Sequence, residues 1–363
     1  MSRRVFKVGT FNLCNLVLPN TLFYDRERYS TEDYAKKKLW IAGQLDRMQA
    51  DIVGFQEVFH EEALREVLKQ STFCREFQVV TANPTGEHPV VALASRFPIL
   101  ESKVIREFPA QSHLDIQGAA IPLTHFSRPV LSVRLRLTET VDCTVFVVHL
   151  KSKRAIFAEG VDRQDPIEKA KGEARSLMLR AGEAIALRVL LMEVLQDRNY
   201  PVIVLGDMND GGAAVTSQII SGEVPQRRLE PDRKRKLWDI LLYHVRDIQA
   251  RQSYGDFYYT HIHNGHYQSL DHIMVSQEFV TQNPDRVGRV AYVAVLNDHL
   301  IDETLSHEAA PNWQSDHGQV VASIEIEREH RARQTQISIH SRTEITKERI
   351  AKEEIVEIKK TSL

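Results

Sequence analysis

Residues Pro201–Gly211 read PVIVLGDMNDG, and the rest of the chain is interpreted around this stretch. Val202–Leu205 is a short apolar run, which predicts a buried strand. Asp207 and Asn209 follow, and side chains two residues apart face the same side if the strand geometry continues. A carboxylate there can orient or deprotonate a water molecule, and a carboxamide can donate to an anionic oxygen. The alternative is a turn in which both side chains only cap the backbone.

Composition narrows the class of protein. The chain has 363 residues, of which 42% are hydrophobic and 26% charged, as is usual for a soluble globular protein. Its net charge of −2 lacks the basic excess of proteins that bind long duplexes nonspecifically. The three cysteines form no CxxC pair, which disfavours a disulfide framework or a zinc site. No signal-peptide core and no membrane-spanning run is present, so we expect a reducing, cytoplasmic location.

Hydrophobic spacing predicts three main helices, at Thr31–Met48, His60–Lys69 and Ile167–Gln196. The candidate core positions of the first helix are Tyr34, Leu39, Ile41, Leu45 and Met48. The segment His261–Gln268 is interpreted as a polar loop. Arg227–Lys236 is interpreted as a basic loop, which either is solvated or follows a phosphate backbone.

The composition changes at Glu327, where a highly charged segment with few large apolar residues begins and continues to Leu363. It predicts a charged helix near Thr346–Ile358 or partial disorder. We therefore predict a catalytic domain over residues 1–326 and a C-terminal tail over 327–363. The tail is a candidate for protein contacts.

Several predicted strands end in, or lead into, acids, amides or imidazoles. These polar endings are Asn12, Glu57, His149, Asp207 with Asn209, Asp271 and Asp316-His317. A single ending of this kind is ordinary turn or surface chemistry. Six in one domain instead predict strand ends gathered at one rim, with their side chains in a common cleft.

The ordered motifs resemble the endonuclease/exonuclease/phosphatase superfamily, whose fold is DNase I-like. The matching segments are TFNL at Thr10–Leu13, QE at Gln56-Glu57, SRFPI at Ser95–Ile99, FSRPV at Phe126–Val130, VVHLKSK at Val147–Lys153, GDMND at Gly206–Asp210, LDHI at Leu270–Ile273 and SDH at Ser315–His317. The residues of these motifs are most similar to those of the bacterial nuclease branches of the superfamily. The resemblance ends near residue 326. It implies an α+β fold: a four-layer sandwich of two packed, mostly antiparallel sheets flanked by helices.

The resemblance also implies a site and a reaction. The reaction is phosphate-ester hydrolysis by in-line attack of water, with Mg²⁺, or alternatively Mn²⁺, as cofactor. The implied metal ligands are Asn12, Glu57 and Asp316. The implied catalytic residues are His149, Asp207, Asn209, Asp271 and His317, and the implied phosphate contacts are Arg128 and Lys151. The family pattern pairs Asp271 with His317, which leaves His272 structural, and we assign Asp298-His299 to the surface.

Three functions remain open at this stage. The first is a Mg²⁺-dependent nuclease acting on DNA or RNA. The second is a phosphodiesterase or phosphatase acting on a small or lipid-headgroup phosphate, such as an inositol phosphate or a sphingomyelin-type substrate, which the near-neutral net charge favours. The third is a binding module on an inactive scaffold, which is disfavoured because every expected polar position is filled.

Overall fold

Apolar, β-branched segments form two six-stranded mixed sheets in the computed structural model, which describes residues 4–24, 27–196, 200–222, 230, 240–251, 258–305 and 310–327. The strands are β1 (Arg4–Leu16), β2 (Ile52–Val58), β3 (Gln78–Thr81), β4 (Val90–Ser95), β5 (Ile99–Glu107), β6 (Asp115–Ile116), β7 (Ala119–Ala120), β8 (His125–Arg136), β9 (Asp142–His149), β10 (Val202–Asp207), β11 (Leu242–His244), β12 (His261–His263), β13 (His266–Gln268), β14 (Asp271–Ser276), β15 (Gly288–Leu296) and β16 (Gln319–Ile326). The helices are α1 (Thr31–Met48), α2 (Glu61–Gln70), α3 (Pro166–Leu195), α4 (Val215–Ser221) and α5 (Val245–Ala250).

Each sheet has one parallel pair of strands near its centre. The first sheet has the order β15-β16-β1-β2-β4-β3 and the second has the order β11-β14-β10-β9-β8-β5. The parallel pairs are β1 with β2 and β9 with β10, and the other neighbours in both sheets are antiparallel. The predicted mostly antiparallel architecture is confirmed. Because the carboxyl ends of parallel neighbours lie at the same edge, each pair delivers two polar endings to one place.

Helices cover the outer faces of the two sheets. The inner faces meet in one large core, to which α1 and α2 also contribute buried side chains. A second core lies where α3 and α4 pack on the outer face of the second sheet, over residues such as Phe146 and Val204. At Gly54 the sheets approach so closely that an added Cβ would lie 2.0 Å from Leu205 Cδ1. The layers therefore run helix, sheet, sheet, helix.

Helix α1 has the predicted bounds, but one predicted core position is wrong. Ser30 caps its first turn by accepting from Asp33 N. Leu39 is 70% exposed, whereas Lys37 is fully buried. The buried positions 34, 37, 41, 45 and 48 repeat every three or four residues, as one helical face requires, and position 39 lies off that face. Spacing therefore outweighs residue type along this helix.

The C-terminal half differs from the sequence prediction in one respect. His261–Gln268, interpreted as a polar loop, forms a two-stranded hairpin in which β12 pairs with β13. The basic loop at residues 227–236, apart from Glu230, and the tail at residues 328–363 lie outside the described residues, so the predicted domain boundary stays a prediction. Among the described residues, no helix combines the length and apolar character that crossing a membrane needs.

We expect Gly206→Ala to be strongly destabilising. Gly206 has φ of +143°, and an added Cβ would lie 1.9 Å from the backbone oxygen of Val148 in the neighbouring strand. A backbone atom cannot move aside cheaply, so we expect a loss of at least about 3 kcal/mol in the free energy of unfolding. Denaturant unfolding would measure it.

Gly211→Ala is the matched control for Gly206→Ala, because nothing lies within 4 Å of the Cβ it would add. We expect it to change stability by no more than about 0.5 kcal/mol. Equal stability of the two variants would contradict the close approach at Gly206.

Candidate active site

The polar endings meet at one edge of the sandwich. Asn12 and Glu57 come from the parallel pair β1 and β2 of the first sheet. His149 and Asp207 end the parallel pair β9 and β10 of the second sheet and lie opposite each other in register. Asp271, the first residue of β14, is also paired in register with Asp207. Local strand register therefore places residues that are distant in sequence around one cleft.

Asp207 is the centre of this cluster. Its Oδ2 lies 3.2 Å from Asn12 Nδ2, 3.5 Å from His149 Nε2 and 3.9 Å from His317 Nε2. Its Oδ1 accepts from Asn209 N at 2.8 Å. Burial raises the pKa of Asp207 to about 7; the charge of His317 opposes the increase, and Asp271 and Glu57 add to it. Asp207 therefore changes its charge near neutral pH.

The turn after β10 combines a backbone cap with a carboxylate oxygen that faces the cluster. The strand ends at Asp207, and Asn209 lies in the left-handed region with φ of +54°. The expected continuation of strand geometry is therefore wrong. The bond from Asn209 N to Asp207 Oδ1 is the Asx-type cap, and it leaves Oδ2 of the same carboxylate for the cluster. Asn209 Nδ2 donates to the carbonyl of Leu150 at 3.0 Å.

Glu57 lies beside Asn12 at an irregular part of β2, where the strand register shifts. Three residues of this region lie in the left-handed region, Cys14 (φ +47°), Asn15 (φ +63°) and Glu57 (φ +63°). Glu57 Oε2 accepts from Asn15 N at 2.9 Å, and its Oε1 lies 3.3 Å from Asn12 Nδ2. Non-glycine residues in this conformation are often found at functional sites, where surrounding contacts hold them.

His317 forms a tight pair with Asp271. Its Nδ1 lies 2.8 Å from Asp271 Oδ2, which leaves Nε2 facing Asp207. Burial acts to lower the pKa of His317, but the charge of Asp271, the bond to it, and the charges of Asp207 and Asp316 raise that pKa well above its ordinary value. These charges favour the protonated form of His317, which Asp271 orients. His272, by contrast, lies 2.8 Å from the carbonyl of Asp210 and has a structural contact, as predicted.

His149 is a second imidazole of different character. Its Nε2 lies 3.5 Å from Asp207 Oδ2 and 3.9 Å from Glu57 Oε1. Burial, together with the charges of Arg128 and His317, lowers the pKa of His149 well below its ordinary value. It is a buried neutral imidazole, and its Nδ1 has no hydrogen-bond partner among the described residues.

Two predicted phosphate contacts lie on the second sheet and the loop after β9. Arg128 donates from Nη1 to the carbonyl of Leu150, the same oxygen that Asn209 contacts. Lys151 donates its ammonium to Ser152 and to the carbonyl of Arg154 at 3.2 Å, so it closes its own loop in this arrangement. The phosphate-binding roles of Arg128 and Lys151 stay predictions.

The sequence analysis overlooked His261 on the hairpin. Among the described residues, two groups place acid or histidine ligand atoms within 4.8 Å of one another: His261 with Asp316 and His317, and Asp207 with Asp271 and His317. His261 Nδ1 lies 3.0 Å from the Asp316 carbonyl, and its ring centroid lies 4.8 Å from that of His317. The only signal for it was an unassigned histidine in a polar segment.

The acidic residues fit a hard divalent cation. Asn12 Nδ2 contacts both Glu57 and Asp207, so two carboxylates converge on one neutral amide. Asp271 Oδ1 is buried and has no hydrogen-bond partner among the described residues. Oxygen-rich, negatively charged sets of this kind suit Mg²⁺. Asn12 Oδ1 accepts from Cys14 N at 3.0 Å, so the predicted ligand set of Asn12, Glu57 and Asp316 stays a prediction.

The buried side chain of Lys37 contacts the backbone of β1 at Cys14, next to the residues with left-handed backbone. Lys37 Nζ donates to the carbonyl of Cys14 at 2.8 Å, and the Tyr29 hydroxyl donates to the same oxygen at 3.2 Å. Burial lowers the pKa of Lys37, while the charges of Cys14, Glu57 and Asp316 oppose this. Helical spacing places Lys37 on the buried face of α1, but a charged side chain is not expected to be buried.

Helix α3 supports the other side of the site through two buried charged residues. Glu183 accepts from Ser127 N at 2.7 Å and from Lys151 N at 2.6 Å. Arg180 donates to the Asp210 carboxylate at 3.0 Å and to the Lys151 carbonyl at 3.1 Å. These contacts fix the ends of β8, β9 and β10 relative to one another. Arg180 and Glu183 are three residues apart, so the sequence already places them on the same face of α3.

The raised pKa of Asp207 predicts a pH dependence of stability. From about pH 4 to about 7 the folded, metal-free protein keeps a proton that the unfolded chain, with its value of 3.8, has released. The free energy of unfolding therefore falls as pH rises through this window, on the order of a few kcal/mol in total. Asp207→Asn should flatten the dependence of melting temperature on pH.

The measurement is best made between about pH 4.5 and 5.5, with metal removed, because histidine in the unfolded chain, with a pKa near 6.5, stays mostly protonated there. Because the charge of Asp207 also raises the pKa of His317, the difference between the two profiles reports Asp207 together with its interaction with His317. Parallel pH profiles for the wild type and Asp207→Asn would contradict the raised pKa.

Comparison with known proteins identifies the relatives of this chain. A model of the Endonuclease/Exonuclease/phosphatase family matches residues 9–317. No curated protein matches. Similar solved structures include humanized D. rerio TDP2 with 14 mutations, which is 15% identical with a TM-score of 0.54 over 88% of this chain and 98% of the other. A Bacteroides thetaiotaomicron protein of the same family is 15% identical, with a TM-score of 0.52 over 91% and 98%.

A third similar structure is D. rerio TDP2 complexed with a single-strand DNA product. It is 16% identical, with a TM-score of 0.51 over 88% of this chain and 98% of the other. At these identities the likeness confirms the fold. The match with the family model covers most of the chain and includes every predicted site residue.

Proposed function

This chain belongs to the endonuclease/exonuclease/phosphatase family, and we propose that it is a Mg²⁺-dependent nuclease that cleaves DNA or RNA. Members of the family generally hydrolyse phosphoester bonds. The observation that carries the proposal is the convergence on Asp207 Oδ2, which has Asn12, His149 and His317 atoms within 3.9 Å. A buried acid with a pKa near 7 beside an oriented imidazolium suits proton transfer at neutral pH.

Each side chain then has a defined task. Asp207 accepts the proton of the attacking water, and Asn209 limits the position of that acid through the backbone bond to its Oδ1. His317, oriented by Asp271, donates hydrogen bonds to the phosphate and stabilises its growing negative charge. His149 is a neutral donor on the opposite side of Asp207.

Glu57 and Asp316, with Asn12, are the residues proposed to hold the metal ion. A bound Mg²⁺ would polarise a nonbridging phosphate oxygen and stabilise the leaving oxygen. Mn²⁺ has similar oxygen preferences and is the alternative ion. We include a cytoplasmic location and protein contacts of the tail in the proposal as well.

Nucleic acid is favoured as substrate by local features of the cleft. Arg128 lies on β8, and Lys153 and Arg154 lie on the loop after β9. Lys153 Nζ is 3.7 Å from Asp210 Oδ1, and the charge of Arg128 acts on His149. A protein of similar fold is described with a single-strand DNA product. The second candidate is a small or lipid-headgroup phosphate, which the net charge of −2 favours because long duplexes usually require a larger basic surface.

One assay separates these functions. The purified protein is offered supercoiled DNA, single-stranded DNA, RNA, inositol phosphates and a generic phosphodiester, each with Mg²⁺ or with EDTA. Cleavage of nucleic acid that EDTA abolishes supports the nuclease. Release of inorganic phosphate or a headgroup, with nucleic acid left intact, supports the second candidate. If the protein turns over none of these substrates, it would be a binding module with this family's fold.

A further inference from the structure

Tyr24 is an exposed aromatic side chain close to Glu57, to which it is linked through Asn15. Its hydroxyl donates to Asn15 Oδ1 at 3.2 Å, and Asn15 N in turn donates to Glu57 Oε2 at 2.9 Å. Two hydrogen bonds therefore connect the phenol to a proposed metal ligand. Tyr24 nevertheless remains 45% exposed, so a large part of the side chain faces solvent at the rim.

The ring is held in place although it is exposed. The Tyr24 ring makes edge-to-face contacts with the buried Phe59, at 5.8 Å between centroids, and with Phe23, at 5.7 Å. Phe23 and Glu27, on either side of Tyr24 in the sequence, exchange two backbone hydrogen bonds. An aromatic ring fixed in this way loses little conformational entropy when another flat group stacks on it.

The surrounding charges place Tyr24 between the two sides of the cleft. Desolvation and the charge of Glu57 raise the pKa of its hydroxyl to about 12, while the charges of Arg128 and Arg154 oppose the increase. Glu57 belongs to the first sheet, whereas Arg128 and Arg154 belong to the second sheet and its loop. The ring thus lies where an acidic metal-binding side and a basic phosphate-binding side face each other.

Resting on the proposed nuclease function, we propose that Tyr24 is a stacking platform for a base next to the scissile phosphate, and that the substrate is single-stranded nucleic acid. Every base has a π-face, so stacking supplies affinity without sequence preference. With a net charge of −2, the protein gains little affinity from electrostatic attraction to the phosphate backbone of nucleic acid, so base stacking would supply a larger share of that affinity. Bases inside a duplex have both faces covered, which excludes them from this platform.

The test compares three variants on three substrates. Tyr24→Leu removes the ring, and Tyr24→Phe removes only the hydroxyl that bonds Asn15. Tyr292→Leu is the matched control, because Tyr292 is 56% exposed on β15 and no role is assigned to it. The substrates are a single-stranded oligonucleotide, the same strand without its bases, and the corresponding duplex.

We expect Tyr24→Leu to raise KM for the single strand by about ten-fold or more, with kcat nearly unchanged. The abasic strand should show no such effect, Tyr24→Phe should stay close to the wild type on the single strand, and the control should match the wild type throughout. If Tyr24→Leu impairs the abasic and normal strands equally, the ring only positions Asn15 and Glu57, and the inference is wrong. Preferred cleavage of the duplex by the wild type would also overturn it.

A binding measurement separates this inference from the proposed function. Fluorescence anisotropy of a labelled single strand in EDTA reports binding without cleavage. If the wild type cleaves no nucleic acid, the nuclease proposal fails. Single-strand binding that Tyr24→Leu weakens and Tyr24→Phe preserves would then still support the platform, and equal binding by all variants would reject it.

Discussion

Replacing His317 with alanine should reduce kcat/KM by about 10²–10⁴-fold, which is the range for losing one general acid–base or phosphate-stabilising group. The imidazole is buried, its Nδ1 is held by Asp271 at 2.8 Å, and its Nε2 faces Asp207 at 3.9 Å. No other described side chain places an imidazolium at this point, because burial and nearby charges keep His149 neutral. Steady-state kinetics on the cleaved substrate would measure the loss.

Two further variants identify the cause of this loss. His263→Ala is the matched control, since that imidazole is exposed on the hairpin with its centroid 6.2 Å from that of His261, and it should keep nearly full activity. Asp271→Asn should lower activity by itself yet add little to His317→Ala, because the pair acts as one unit. Additive losses, or near-normal turnover of a folded His317→Ala protein, would refute the assigned role.

The second large effect is expected for Glu57→Gln. Glutamine keeps the shape of the side chain and can still accept from Asn15 N, but it removes the negative charge that the proposed cation needs. We expect kcat/KM at fixed Mg²⁺ to fall by about 10³-fold, which corresponds to several kcal/mol of lost metal-dependent stabilisation. Calorimetric titration with Mg²⁺ should show weaker binding, and excess Mg²⁺ should restore part of the activity.

Glu62→Gln is the control for Glu57→Gln, because it makes the same chemical change at an exposed position in the first turn of α2. It should leave Mg²⁺ affinity and turnover unchanged. A Glu57→Gln protein with unaltered Mg²⁺ affinity would remove Glu57 from the metal site. The thermal stability of both variants should be recorded, since the left-handed backbone at Glu57 is held by its contacts.

The sequence predicted the strands near the site well, because their apolar character is local information. The bounds of α1 agree with its predicted span, and the strand predicted from Val202–Leu205 extends to Asp207. The errors also have local causes. Leu39 was assigned to the core by residue type alone, and the hairpin at His261–Gln268 was missed because its alternation is short and polar.

The site was predicted as a set of residues, but its supporting contacts were not. Lys37 and Tyr29 bond the Cys14 carbonyl in β1, and Arg180 and Glu183 bond the loop after β9. The helical spacing of Lys37, Arg180 and Glu183 does not show what these side chains contact. Charged residues in helices are usually solvated, so sequence reasoning assigns them to the surface. Only the packing of a helix against a particular loop shows which of them are buried.

The sequence by itself placed strands along the chain and identified the polar side chains next to them, since hydrophobic periodicity is a property of the chain alone. Its ordered motifs implied the class of the fold through the family resemblance. Tertiary structure decided which atoms meet: it put Asp207 beside Asn12, a residue 195 positions away, and it shifted the pKa values of two nearby histidines in opposite directions. The physical reason is that pKa values and hydrogen bonds depend on burial and on distances of a few ångströms, which arise only when separate strands share one edge.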